Sequence, residues 1–423
     1  MERTPIAIVG CGGMGRRHLT GLAALARSDF NNLDLVAVCD INRQNAEDLA
    51  DEAQNALGIR PRVFESITAM VEALPQLKAA DVTTDAGSHH RVAVDCLRAG
   101  LHVQCEKPLA ITIRGCNRVI DAARAAGKIL SVAENYRRDP INRLAKALIT
   151  DGAIGTPQLM IETSIGGGNH IAITAWRHLK LHGTITLDAG VHNADILMYY
   201  LGDVDTAFGD ARLYEKIRYK GNASGPGGFY AKWAANMPDQ IEATGEDAMF
   251  GYLRFASGAI GQFTYHHAAH GLPQRGRYVY GSKGALVSPG DRNGRPLKLH
   301  FDGKEISGPE ILDYAPSYRL SPLATQLFGG ERVWSYEIPF ADTDAKILAS
   351  EYHEFASCVQ TGQSPEVTGE VARRDVALVY ALFESGLAGR ALTLDEVENL
   401  AVDAYQREID EHLGLIKKPV ANV

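Results

Sequence analysis

The chain has 423 residues, 45% hydrophobic and 22% charged, with a formal net charge of −8. That length suggests two soluble domains with ample core material. Basic residues occur as doublets (Arg16-Arg17, Arg137-Arg138, Lys417-Lys418) and never as a run, which argues against a nucleic-acid face.

In chain order, the first third alternates short apolar runs with helical patterns. Strands are expected at Pro5–Val9, Leu33–Cys39, Arg62–Phe64, Ala80–Thr83, His102–Cys105 and Ile129–Ala133. Helices are expected at Arg16–Arg27, Asn42–Leu57 and near 65–73, 89–99 and 111–126. This alternation predicts an α/β unit over 1–137, a Rossmann-type doubly wound parallel sheet. Beyond Asp139-Pro140 the pattern changes. A helix near 141–151 precedes a strand at Gln158–Ile165 and a helix at Asp188–Leu201. Longer strands follow at Asp203–Tyr214, Ala248–Phe255, Ala259–His267, Arg277–Tyr280 and Leu297–Phe301. Helices near 344–361, 369–388 and 394–411 close the chain. Residues 138–423 therefore read as an α+β domain with a large, mainly antiparallel sheet. The stretch Gly221–Phe229 reads as a turn-rich loop.

The six cysteines form no C-x-x-C pair, so small buried thiols are expected rather than disulfides or a zinc knuckle. No signal-peptide core and no apolar run of membrane-spanning length occurs, so the expected location is the cytoplasm, with no membrane partner.

Gly10-Cys-Gly-Gly-Met-Gly15 fits G-x-G-x-x-G between a strand and a helix, and Asp40 ends the next strand. Gly10 permits the turn, and Gly12, Gly13 and Met14 border the pyrophosphate. Gly15 permits close helix–strand packing. Asp40 would accept hydrogen bonds from the ribose hydroxyls and repel a 2′-phosphate, which favours NAD over NADP. Arg43 lies close enough to weaken that preference. Thr83 and Thr84, ending the fourth strand, are candidates for the cofactor's ribose side.

Several motifs together resemble the glucose-fructose oxidoreductase / inositol dehydrogenase / rhizopine-catabolism (Gfo/Idh/MocA) family over nearly the whole chain. They are Ala7–His18, Ala99–Leu109 with Glu106-Lys107-Pro108, Asn135-Tyr-Arg-Arg, Trp176-Arg177, Asp188-x-Gly-x-His192-x-x-Asp195, Tyr280–Ala285 and Glu354–Pro365. The resemblance implies an NAD(P)-dependent oxidoreductase of sugars or cyclitols, generally a homo-oligomer (dimer or tetramer), with residues 138–423 as its substrate-binding and oligomerisation domain. Its lysine matches Lys107, and its aspartate and histidine match Asp188 and His192.

Hydride transfer from a secondary ring hydroxyl requires loss of the hydroxyl proton and stabilisation of the developing alkoxide. His192 is expected to take the proton and Lys107 to stabilise the oxygen. Asp188, one helical turn from His192, would orient His192, Lys107 or both. Asp195 is expected to be structural. Glu106 either contacts the nicotinamide ribose or holds its turn, and His89 either starts a helix or touches the cofactor. Tyr136, Arg137, Asn169, His170, Trp176 and Arg177 are expected on the substrate, with Trp176 offering an apolar face to a sugar ring. His266 and His267 are consecutive on a strand and point to opposite faces, so no metal site is expected. The lead reading is an NAD-dependent dehydrogenase of a sugar, glycoside or cyclitol. An NAD-retaining glycoside hydrolase using transient oxidation is the alternative, and a cofactor-binding sensor or regulator the third.

Overall fold

Short apolar strands and the helices between them build one parallel sheet from the first 133 residues. The computed structural model describes residues 3–221, 228–234 and 237–417. The strands are β1 (Thr4–Val9), β2 (Leu33–Cys39), β3 (Arg62–Phe64), β4 (Ala79–Val82), β5 (His102–Glu106) and β6 (Leu130–Ala133). Their order is β3-β2-β1-β4-β5-β6, all parallel. The order reverses between β1 and β4, the point where such sheets open a crevice at their carboxyl edge. Each expected strand is present, with ends shifted by one residue at most.

Local chemistry sets the helix limits. Helix α2 (Arg43–Leu57) starts where the Asn42 side chain accepts from Gln44 N and stops at left-handed Gly58. Helix α1 (Gly13–Ala26) has no side-chain cap, so its first-turn N–H groups remain available. A much later helix, Phe340–Thr361, packs along α1. Its Tyr352 and Phe355 are fully buried against Ile6, Ile8 and Leu22. The face of the N-terminal sheet is thus closed by a distant part of the chain.

The second sheet has nine strands. In order they are Lys304–Ile306, Lys298–Phe301, Gly284–Ser288, Gln274–Gly281, β7 (Pro157–Gly167), Ile260–Ala269, Ala248–Phe255, Val204–Arg212 and Leu392–Thr393. Every pair is antiparallel except β7 with Ile260–Ala269. Between β6 and β7 lies helix α6 (Pro140–Thr150), and α7 (Ile185–Leu201) and the helix Gly369–Ala388 pack on the sheet.

Three expectations are corrected. The terminal helix expected at 394–411 is two helices, Leu394–Glu398 and Arg407–His412. The chain breaks at Leu400, which is left-handed (φ 58°), and turns so that the Tyr405 and Gln406 N–H groups donate to buried Glu384. Strands Gly284–Ser288 and Lys304–Ile306 escaped the sequence reading because they are short and bounded by glycines. Helix α7 begins at Ile185 rather than Asp188, because the Thr184 hydroxyl caps it by accepting from Leu187 N. Residues 222–227 of the expected loop at 221–229 lie outside the described residues. All six cysteines are buried free thiols.

Candidate active site

The crevice predicted by the strand order is a cleft of about 660 Å³ lined by the glycine-rich turn, Asp40, Ile41, Thr83, Thr84, Trp176 and Tyr230. Gly10 is left-handed (φ +104°), and a Cβ there would stand 2.7 Å from Thr84 N. A Cβ on Gly15 would stand 2.3 Å from Gly10 O, whereas one on Gly12 would meet nothing within 4 Å. The first two glycines are demanded by packing. The third leaves open space beside uncapped helix N–H groups, the environment that favours a phosphate anion. Asp40 is fixed toward the cleft by Cys11 N (2.7 Å) and Asn42 N (2.8 Å).

The other residues expected on the cofactor divide. Thr84 lines the cleft, while the Thr83 hydroxyl donates to Gly10 O at 2.7 Å and holds the turn. Arg43 stands outside the cleft lining and pairs with Glu47 and Glu65. His89 is buried between Pro108 O and Thr84 O. Glu106 is buried too: it accepts from Lys107 N (2.9 Å) and lies 2.9 Å from His18 Nε2. His18 in turn reaches Asp81 and the Tyr352 hydroxyl. The Glu106 carboxylate thus braces the Lys107 backbone at the strand end.

Next to the cleft lies a second cavity of about 720 Å³, which Met14 and Tyr230 also border. Lys107 enters it from the end of β5, and Asp188 and His192 enter it from α7. Asp188 is expected to orient His192, Lys107 or both, and of these its side chain contacts Lys107. Asp188 accepts from Lys107 Nζ at 3.0 Å and Arg177 Nε at 2.7 Å, and no hydrogen bond joins it to His192. Two cations on one carboxylate outweigh the i,i+4 spacing. Burial would raise the Asp188 pKa, but Arg177 and Lys107 together hold it well below the usual carboxylate range.

His192 has a partner the sequence reading missed. Both Glu134 oxygens lie 2.7 and 2.8 Å from His192 Nδ1. Glu134 stands just beyond β6, at the same carboxyl edge as Lys107, and that position is the signal that could have found it. Burial pushes Glu134 up to about 7. Burial, then the charges of Lys107 and Arg292, push His192 well below its ordinary value. The imidazole is therefore neutral near pH 7. Tyr136 stacks on it, ring centroids 4.1 Å apart and 3° from parallel, and the Arg292 guanidinium lies 4.9 Å from the Tyr136 ring centroid.

Of the residues expected on the substrate, Tyr136, Arg177 and His192 line this cavity. Trp176 lines the cofactor cleft instead. Arg137 is buried and engaged by Asp195, which supplies the structural role expected of that aspartate. Asn169 and His170 lie outside the lining; the Asn169 carbonyl accepts from Tyr219 N. His266 contacts Tyr214 and Phe250 while His267 contacts Tyr265 and His178, and both histidines border the cavity. Among the described residues no three His, Cys, Asp or Glu side chains converge as a metal-ligand group.

Two family models match the chain: the oxidoreductase family's NAD-binding Rossmann fold over residues 4–134, and the GFO/IDH/MocA C-terminal domain over 142–287. The chain belongs to the Gfo/Idh/MocA oxidoreductase family. Among its Gfo/Idh/MocA relatives, D-apiose dehydrogenase of Paraburkholderia graminis is 26% identical over 94% of this chain and 92% of that protein. Myo-inositol 2-dehydrogenase of Thermotoga maritima is 24% identical over 93% of this chain and 99% of that one. The solved structure of levoglucosan dehydrogenase with NADH and levoglucosan superposes with a TM-score of 0.72 at 20% identity. That match covers 93% of this chain and 100% of the other and is a likeness of fold. The protein is accordingly an NAD-binding oxidoreductase, and the cleft at Gly10–Gly15 fits that cofactor.

Proposed function

We propose that the protein oxidises a secondary ring hydroxyl of a sugar, glycoside or cyclitol with NAD. The carrying observation is that Lys107 and His192 line one cavity beside the glycine-rich cleft, each held by its own carboxylate. NAD, when bound by Gly12, Gly13, Met14, Asp40 and Thr84, supplies the hydride acceptor. His192 Nδ1 donates to Glu134, which leaves the Nε2 lone pair to take the hydroxyl proton. Lys107 donates to the substrate oxygen and stabilises its growing negative charge. Asp188 is a positioning residue: it fixes the Lys107 ammonium and keeps it from folding away. Tyr136 holds the plane of the His192 ring.

A screen of sugars, glycosides and cyclitols for NADH formation tests this reading. One NADH per molecule oxidised supports it. Sugar released from a glycoside with no net NADH would move the assignment to the redox-assisted hydrolase. A protein that binds NAD but turns over no polyol would point to the sensor.

We also propose a cytoplasmic homo-oligomer. Six buried free thiols suit a reducing compartment. Phe208 and Tyr252, register partners on the nine-stranded sheet, are 48% and 41% exposed, an apolar surface that a second copy would cover. Sedimentation velocity that returns only a 45.8 kDa species would contradict it.

A further inference from the structure

The substrate cavity has an unbalanced charge. Five cationic side chains line it, Arg17, Lys107, Arg177, Arg275 and Arg292, against one lining carboxylate, Asp188. Four of the five have a carboxylate partner, two cations sharing each carboxylate. Asp188 serves Lys107 and Arg177. Asp344, behind the wall, serves Arg17 at 2.5 Å and Arg292 at 2.8 Å. Glu134 is engaged by His192. Arg275 has no carboxylate partner among the described residues.

Its neighbour on the same strand shows what a structural arginine looks like here. Arg277 lies two residues on, so both side chains leave the same face. Arg277 is buried, bonded to Glu162 at 2.6 Å and to Asp291 at 2.7 Å. Arg275 stands in register with Ser164 of β7, which is in register with Tyr265. All three line the cavity. Arg275 itself is exposed where Arg277 is buried. A planar guanidinium on the cavity lining, with no hydrogen bond or ion pair among the described residues, matches the paired oxygens of a carboxylate or phosphate.

We propose that the substrate carries an anionic oxygen group, a carboxylate or a phosphate, which Arg275 binds while the hydroxyl to be oxidised sits at Lys107 and His192. The substrate class is then a sugar acid or a sugar phosphate rather than a neutral sugar. This rests on the dehydrogenase reading above.

The test uses the full-length protein loaded with NAD. D-glucuronate, D-glucose 6-phosphate and D-glucose are compared by titration calorimetry and by NADH formation. At least one anion should bind about tenfold more tightly than glucose, a gap that narrows as salt is added. The two anions tell a carboxylate site from a phosphate site. Arg275→Gln should raise the KM of the favoured anion about tenfold, with a much smaller change in kcat. Ser164→Asp, which places a carboxylate in the same row, should act alike and serves if Arg275→Gln does not fold. The proposal is overturned if glucose binds as well as both anions, if neither anion binds, or if both variants leave the anion-to-neutral ratio unchanged. Anion binding that depends on Arg275 without any NADH formed would keep the anion site and refute the dehydrogenase instead.

Discussion

Two buried histidines in this molecule each hydrogen-bond to carboxylates, and their surroundings drive them to opposite charge states. His18, on the helix after the glycine-rich turn, is fully buried between Asp81 and Glu106. Burial would lower its pKa, but the two carboxylates outweigh it and raise it to about 10. His192 has a single carboxylate, itself pushed toward neutrality by burial, and it faces Lys107 and Arg292 across a cavity. Burial alone therefore decides neither state; the sign and number of neighbouring charges do. His18 is held as a cation at neutral pH and ties α1, β4, β5 and the helix Phe340–Thr361 together behind the site. His192 is a neutral imidazole on the cavity lining in front of it.

Removing the residues on the front should cost the most activity. Lys107→Ala and His192→Ala are each expected to lower kcat by about 10³-fold, with NAD binding retained. Loss of cofactor binding alone, with kcat intact at saturating NAD, would place both residues with the cofactor. Removing the cation behind should cost stability. His18→Gln leaves Asp81 and Glu106 buried without their cation, and a loss of about 3–5 kcal/mol in chemical denaturation is expected. The sign with pH follows from the raised pKa: the stabilisation is complete below the unfolded histidine value of about 6.5 and disappears as pH rises through about 10. A wild-type protein as stable at pH 10 as at pH 6 would break the contrast. A smaller effect concerns cofactor choice. Asp40→Ala should raise the NADP-to-NAD ratio of kcat/KM about tenfold. Arg43 is already engaged by Glu47 and Glu65, so Arg43→Ala should change that ratio little by comparison.

The fold was legible because its strands are apolar runs punctuated by caps and glycines, each chosen locally. Asn42 and Gly58 mark the limits of α2 whatever lies around them. The break inside 394–411 was not legible, since it follows from Glu384, distant in sequence, capturing the Tyr405 and Gln406 N–H groups. The site divides the same way. The glycine turn, Asp40, Lys107, Asp188 and His192 sit in motifs with recognisable spacing. The partners of those residues do not: Glu134 reaches His192 across 58 residues and Arg292 pairs with Asp344 across 52. The Asp188–His192 spacing left open whether Asp188 orients His192 or Lys107, and tertiary contacts give it Lys107 and give His192 to Glu134.

The central claim is that Glu134 holds His192 in the tautomer that accepts a proton. The pH dependence of kcat/KM for polyol oxidation, in wild type and in Glu134→Gln, tests it most directly. When the pair carries an extra proton, Nε2 is protonated and cannot act as base. Wild-type activity should therefore rise with pH through a value near the Glu134 pKa of about 7. In Glu134→Gln that limb should vanish, with kcat lowered by about 10- to 100-fold. An unchanged ascending limb in the variant would contradict the account and assign the proton to another group.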